Sequence, residues 1–133
     1  MKSAKIIIVL LLFLSLSLSA CASENLPPSD IARRYLENNA NRTFSIGYDL
    51  LTSDSQLKIS RSQYVDRLSR AYQDAGIFKT EIVRLLEPNI AGKRASVAYQ
   101  LEVTLQNNEK LTLFESMILL QQENGWRVIW PPQ

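Results

Sequence analysis

The chain has 133 residues, with 15 lysines and arginines, 13 aspartates and glutamates, no histidine and a single cysteine. The lack of histidine excludes a Ser-His-Asp triad, a Cys-His pair and any histidine general base. It also leaves no set of imidazole and thiolate ligands for zinc, copper or iron, so we expect no metal site and no cofactor.

Residues 1–20 have the layout of a secretory signal peptide, with Lys2 and Lys5 ahead of an apolar run over 6–14 and small residues after it. The sequence Leu-Ser-Ala-Cys that ends at Cys21 resembles a bacterial lipobox, in which the cysteine is acylated and becomes the first residue of the mature chain. Ordinary secretion, with cleavage at a small-x-small site, is the alternative. We therefore expect a lipid on Cys21 that attaches the protein to a membrane of the cell envelope, facing the periplasm or the exterior.

Ala22 and Ser23 follow the cysteine with no aspartate, which resembles an outer-membrane address in Gram-negative lipoproteins. Residues 21–28 read as the acylated cysteine and a tether of at most about 25 Å, so the domain over 29–133 should lie close to the membrane. Without Lys2 and Lys5 the chain has 13 basic and 13 acidic residues. With a net charge of zero, the mature chain has no overall positive potential to attract nucleic acid, and we expect no nucleic-acid partner.

Apolar residues at helical spacing and capping residues predict three helices. The first begins with Ser29 as its N-cap and ends near 38–41, and the second covers 43–51. The third begins at a capping box of Ser60 and Gln63 and ends at Gly76. Residues 52–58 are predicted to be a polar connection.

From Ile77 onward the apolar period changes from three or four residues to two. We predict strands over 77–87, 94–106, 110–121 and 126–130, with Asn124 and Gly125 forming the last two-residue turn. Helices followed by an antiparallel meander predict an α+β domain with the helices packed on one face of a four-stranded sheet.

Three segments give the chain a resemblance to a known family. They are Tyr-Asp-Leu-Leu at 48–51, the stretch from Ile59 to Arg67, and Gly-Trp-Arg-Val-Ile-Trp-Pro at 125–131. Together they resemble the N-terminal domain of methicillin-resistance-type penicillin-binding proteins, over nearly all of 29–132. The resemblance implies a nuclear-transport-factor-2-like, or cystatin-like, cone in which a curved antiparallel sheet wraps around helices. It also implies a non-catalytic spacer, here expected as a freestanding lipoprotein.

Ser55 and Lys58 match the Ser-x-x-Lys motif of penicillin-binding enzymes, in which the serine is a nucleophile assisted by the lysine. The match lies in a predicted polar connection, and the accompanying Lys-Thr-Gly is missing because Glu81 follows Lys79 and Thr80. We interpret the match as coincidence and predict no catalytic residue.

The position of Glu115 depends on the register between the second and third strands. A two-residue turn at 107–108 turns Glu115 away from the apolar row, whereas a three-residue loop at 107–109 places it in that row. We favour the second, because the tryptophans of the last strand then share a face with the apolar row. Glu115 becomes the first candidate pocket residue, with Tyr99 and Trp126 as neighbours. The alternative is that Glu115 lies at the rim, or that a tyrosine hydroxyl or an arginine satisfies it.

The same register turns Phe114, Ile118, Leu120 and Ile129 to the outer face of the sheet. A soluble monomer seldom exposes such a patch, so we expect a homodimer or an envelope protein partner there. The alternative is that the C-terminal tail or the strand twist covers it.

The function expected from these features is that of a lipid-anchored, non-catalytic scaffold or adaptor of the cell envelope, near the membrane and linked to cell-wall synthesis. The alternative is a module that binds a small molecule, of unknown identity, in the cavity of the cone. The third hypothesis is an enzyme, such as an isomerase or a hydrolase, built on Glu115.

Overall fold

The computed structural model describes residues 25–132. The predicted signal peptide, Cys21 and the first residues of the tether lie outside the described residues. Leu26 already packs against the core, and Pro27 is extended before the first helix. Among residues 25–132, no helix is both long enough and apolar enough to cross a membrane.

Within residues 25–132, four helices precede the sheet: α1 (Pro28–Ala40), α2 (Phe44–Tyr48), α3 (Ser53–Lys58) and α4 (Arg61–Asp74). The predicted N-cap of α1, Ser29, is wrong, because the helix begins at Pro28 and its N-cap is Pro27, two residues earlier. Proline suits the first helical position, where a backbone N–H has no partner within the helix. The capping box of α4 is confirmed, with Ser60 and Gln63 bonded to each other's backbone N–H.

The segment predicted to be a polar connection is the helix α3. The Thr52 hydroxyl accepts a hydrogen bond from the backbone N–H of Ser55, as an N-cap does. Asp54 lies in the first turn and Lys58 in the last, where each complements the helix dipole. The prediction was wrong because this helix lacks an apolar stripe, its largest apolar residue, Leu57, being 85% exposed.

In the described part of the chain, five strands form one antiparallel sheet: β1 (Ile77–Leu85), β2 (Asn89–Ala91), β3 (Arg94–Leu105), β4 (Lys110–Gln122) and β5 (Gly125–Val128). Their order is β1-β3-β4-β5, and the short β2 pairs with β3 beside β1. The predicted count of four omits β2, which was interpreted as part of a loop. Two register shifts within β1 bend the sheet. The predicted α+β fold, with helices followed by a curved antiparallel sheet, is confirmed.

The register between β3 and β4 pairs Tyr99 with Glu115 and Thr104 with Lys110. The backbone N–H of Leu105 donates to the carbonyl of Glu109 at 2.8 Å, so the loop is the three residues 106–108 and begins one residue earlier than predicted. This loop moves the pairing by two residues from the predicted one. A shift of two keeps every side chain on its face, so the predicted face of Glu115 is confirmed.

The turn between β4 and β5 also differs from the prediction. Gln122 pairs with Gly125, so the turn residues are 123–124, and Leu119 pairs with Val128. The predicted partner of Leu119, Trp130, is therefore wrong. Gly125 has φ +99° and takes the first position of β5, where a left-handed conformation favours glycine.

The core lies between the helices and the concave face of the sheet. Tyr64 of α4 is fully buried, and its ring lies 5.3 Å from that of Trp130 and 5.6 Å from that of Tyr48. The end of β5 is tied to the helical layer, because the Val128 carbonyl accepts from Thr52 N–H at 2.9 Å. The core therefore joins the last strand to the short helices α2 and α3.

Candidate functional site

Glu115 and Tyr99 lie side by side on the concave face of the sheet. The Tyr99 hydroxyl donates a hydrogen bond to Glu115 Oε2 at 2.9 Å. Tyr99 is 9% exposed, whereas Glu115 is exposed. Burial, together with the adjacent Glu115 carboxylate, raises the pKa of Tyr99 well above its ordinary value. The hydroxyl therefore keeps its proton and donates a hydrogen bond to Glu115. This is the arrangement considered as the alternative to a pocket carboxylate.

Trp126 is not a neighbour of this pair. It is buried and pairs with Gln121, six residues beyond Glu115 along β4, which at strand spacing is roughly 20 Å away. The prediction of a three-residue pocket placed all three side chains on one face, which is correct. The predicted proximity of Trp126 to Glu115 is wrong. Odd or even numbering decides which face a side chain lies on, whereas the distance between two side chains along the strands depends on the register.

The tyrosines of the helices form a hydrogen-bonded group in the core. The Tyr64 hydroxyl donates to that of Tyr35 at 3.1 Å, and both rings are buried. Burial raises the pKa of Tyr35, Tyr64 and Tyr72. The Glu115 carboxylate is a minor further cause of the raised pKa of Tyr72. Sequence reasoning did not find the Tyr35–Tyr64 bond, since its members are 29 residues apart.

Ser55 is buried and its hydroxyl is used inside the fold. Its Oγ accepts from the backbone N–H of Trp130 at 2.9 Å and lies 2.8 Å from the Thr52 hydroxyl. Lys58, the other half of the Ser-x-x-Lys match, is exposed on the surface. The structure gives Ser55 the role of joining α3 to the end of the sheet.

The outer face of the sheet holds the four residues predicted as an interface, which we call the outer patch: Phe114, Ile118, Leu120 and Ile129. Phe114 is 69% exposed and the other three are partly exposed. The Ile129 N–H donates to the Ile118 carbonyl at 2.9 Å, which holds these two residues together. The four side chains therefore share one face, and the strand twist does not cover Phe114.

Within residues 25–132, no three histidine, cysteine, aspartate or glutamate side chains lie together in a group able to hold a metal ion. Glu115 pairs with a tyrosine and has no second carboxylate beside it in that arrangement. Some of the described acidic residues form ion pairs instead, such as that between Lys110 Nζ and Glu102 Oε1 at 2.8 Å.

The sequence profile of the NTF2-like N-terminal transpeptidase domain family matches residues 27–133. The chain belongs to this family. The matched residues include all four helices and all five strands, and the family is the one that the sequence resemblance indicated. No curated protein sequence matches the chain.

Solved structures share the fold at low sequence identity. A hypothetical protein from Catenulispora acidiphila with a ketosteroid isomerase-like fold, in complex with trimethylamine, has a TM-score of 0.57 and 11% identity over 77% of this chain and 85% of that one. An NTF-2 like protein of unknown function from Shewanella oneidensis has a TM-score of 0.55 and 11% identity over 77% and 96%. TerC, co-crystallised with polyporic acid, has a TM-score of 0.55 and 13% identity over 78% and 89%. The family and the fold fit a module that is related to the cell wall or binds a ligand.

Replacing Ser55 with alanine should destabilise the domain, because the Trp130 N–H would lose its acceptor in a buried position. The expected loss is about 1–3 kcal/mol of unfolding free energy, measured by denaturant unfolding. Ser53→Ala is the matched control on the same helix, and since Ser53 is exposed we expect a change of less than about 0.5 kcal/mol. An unchanged unfolding free energy in Ser55→Ala would contradict the structural role of Ser55.

The buried tyrosines should make the domain sensitive to alkali. In the unfolded chain a tyrosine loses its proton near pH 10, whereas in the folded chain Tyr64 and Tyr99 keep theirs to a higher pH. Stability should therefore be unaffected below about pH 10 and fall above it, by up to about 1.4 kcal/mol per pH unit for each such tyrosine. Denaturant unfolding between about pH 8 and pH 11.5 measures this, and Tyr64→Phe should show a shallower fall. A flat profile would refute the assignment.

Proposed function

We propose that the chain is a lipid-anchored, non-catalytic adaptor of the cell envelope that holds a partner near the membrane, alongside cell-wall synthesis. The observation that carries this proposal is that the polar groups suited to chemistry are already bonded within the fold. Ser55 accepts from Trp130, and Glu115 accepts from Tyr99. Membership of a family described as an N-terminal transpeptidase domain supports the link to the cell wall.

The packing of the cone supports an adaptor over a pocket enzyme. Between the helices and the sheet, the Tyr64 ring meets the Trp130 ring edge-on at 5.3 Å and the Tyr48 ring at a tilt at 5.6 Å. The Arg67 guanidinium covers the outer side of Trp130 at 5.4 Å from the ring centroid. Rings packed in this way stabilise the domain and fill this part of the cone.

The anchor fixes which end of the domain meets the membrane. Asn25 lies beside Gly125, since a Cβ added to Gly125 would be 3.8 Å from the Asn25 Oδ1. Cys21 is four residues before Asn25, a span of at most about 14 Å. We call the sheet end with the turns at 92–93 and 123–124 the anchor end, and the end with the loop at 106–108 the far end. The far end then projects away from the lipid by roughly the 40 Å length of β4.

Binding of a small molecule is the second candidate function, and one observation favours it. The Glu115 carboxylate is exposed next to the buried Tyr99, so one of its oxygens is available to a ligand. The relative from Catenulispora acidiphila was solved with trimethylamine. An enzyme built on Glu115 is the third candidate, and Tyr99, with its raised pKa, would be a weak proton donor for it.

The anchor is tested by replacing Cys21 with alanine. Each buried methylene of an acyl chain contributes about 0.8 kcal/mol to membrane binding, so a chain with two or more acyl groups stays on the bilayer and one without them leaves it. We expect the wild-type chain in the membrane fraction, labelled by radioactive fatty acid, and the Cys21→Ala chain unlabelled in the soluble fraction. Ser23→Ala is the matched control. Fatty-acid label on Cys21→Ala would disprove the anchor.

The outer patch is proposed to pair with a second copy of the chain. Two sheets packed back to back about a two-fold axis along the strands keep both anchor ends on the same side, as one membrane requires. Ile118→Lys should then abolish a cross-linked dimer of the full chain in membranes. Leu57→Lys is the control, because Leu57 is an equally apolar side chain that is 85% exposed on α3. A dimer that survives Ile118→Lys in a folded chain would contradict this pairing.

A further inference from the structure

One edge of β4 has no neighbouring strand along most of its length. β4 pairs with β3 from Lys110 to Leu120, but it pairs with β5 only from Leu119 to Gln122. After Val128 the chain leaves the sheet, and the Trp130 N–H bonds to Ser55 instead. On the edge of β4 that pairs with β5, no strand from residues 25–132 therefore lies beside residues 110–117. We call this stretch the free edge.

The backbone groups that point to the free edge are those of the even-numbered residues. Odd residues face β3, since the Gln121 N–H donates to the Lys93 carbonyl. Even residues face the other side, since the Ile118 carbonyl accepts from Ile129. In an antiparallel ladder this alternation continues along the strand. The N–H and C=O groups of Lys110, Thr112, Phe114 and Ser116 are therefore open to an added strand.

Apolar side chains flank the free edge on both faces of the sheet. Leu111 and Leu113 are 39% and 37% exposed on the concave side, and Phe114 is 69% exposed on the outer side. Soluble proteins usually protect such an edge with a proline, a bulge or inward-pointing charges, because it is a template for strand pairing. The free edge carries no proline, the register of β4 against β3 is continuous through it, and its one inward-pointing acidic or basic residue is Glu115.

We propose that the free edge binds an extended segment of a partner protein, which adds to the sheet as a strand antiparallel to β4. The added strand lies on the same edge of β4 as β5 and runs in the same direction as β5. Main-chain hydrogen bonds to the even residues of β4 hold it there. The side chains of the added strand that lie opposite Glu115, Leu113 and Leu111 face the concave side. Read from its N-terminus, the segment has the pattern basic-x-apolar-x-apolar.

The charge of Glu115 selects the basic residue. Glu115 accepts a hydrogen bond from Tyr99, and it takes part in none of the ion pairs found within residues 25–132. Because odd residues of β4 bond to β3, Glu115 would face its new partner as a non-hydrogen-bonded pair, with Cα atoms only about 4.5 Å apart. A lysine or arginine there meets a carboxylate that is not neutralised, and an acidic residue is repelled.

A second copy of the chain does not fit the free edge, and this step rests on the proposed lipid anchor. Antiparallel pairing of two β4 edges requires a two-fold axis perpendicular to the sheet. That axis sends the two anchor ends in opposite directions along the strands, so two copies with Cys21 in one membrane, standing on their anchor ends, cannot pair in this way. The partner segment is under no such constraint, because it comes from another protein.

The test uses the full-length chain in detergent micelles and a fluorescent synthetic peptide, Thr-Lys-Thr-Val-Thr-Val-Thr, with anisotropy as the readout. The matched peptide has glutamate in place of lysine. We expect wild type to bind the lysine peptide about tenfold more tightly than the glutamate peptide, and Glu115→Lys to reverse that preference. Equal binding of the two peptides, or no binding of either, overturns the proposal.

Thr112→Pro tests the backbone part of the same proposal. The Thr112 N–H points to the free edge, so proline removes a donor for the partner and leaves the ladder to β3 intact. We expect more than about a tenfold loss of peptide binding with unchanged circular dichroism. Ile118→Lys, which alters only the outer patch, should bind the peptide as wild type does. An unchanged affinity in Thr112→Pro overturns the proposal.

The outcomes for the edge and for the anchor are separable. Peptide binding is measured in micelles and needs no acyl group, so Cys21→Ala should bind the peptide as wild type does even when it is released from membranes. If Cys21→Ala stays in the membrane, the anchor fails and the peptide result still decides whether the edge binds a strand. A dimer abolished by Thr112→Pro and insensitive to the peptide would assign the edge to a second copy and overturn the proposal.

Discussion

The register between β3 and β4 is the constraint on which the rest of this structure depends. With three residues in the loop at 106–108, every odd residue of β4 lies on the concave face and every even residue on the outer face. A slip by one residue would exchange the two faces, moving Leu119 out of the core and Phe114 into it. The Tyr99–Glu115 bond, the outer patch and the direction of the open backbone groups all follow from the same pairing.

Along β4, the concave face is covered only in the anchor half. Met117 and Leu119 are 4% and 0% exposed, whereas Leu113 and Leu111, on the same face, are more than a third exposed. The difference arises because β5 and the short helices α2 and α3 gather at the anchor end, where Val128 bonds to the Leu50 carbonyl. The far half of β4 therefore combines an uncovered face with an unpaired edge, and both lie away from the proposed membrane contact.

Alternation and capping in the sequence were enough to predict the fold class, the faces of the strands and the start of α4. They did not predict positions along the strands, because a shift by two residues leaves every apolar residue on its face. Both hairpins differ from prediction by such a shift, as the pairing of Leu119 with Val128 shows. α3 was missed because its burial comes from Ser55, a polar residue whose partner, Trp130, is 75 residues away.

The meaning of Glu115 changes once its position along the row is known. In the sequence it is a carboxylate within an apolar row, which would be costly if the whole row were buried. In the structure, Met117 is the last buried residue of the odd-numbered row of β4 toward the far end. Glu115 is the next residue of that row, and it lies outside the core. The carboxylate is therefore exposed to solvent, and Tyr99 orients one of its oxygens. A charge held in place beside exposed leucines and open backbone groups adds little to the stability of the domain, but it gives an added strand a reason to pair in one register and not in another.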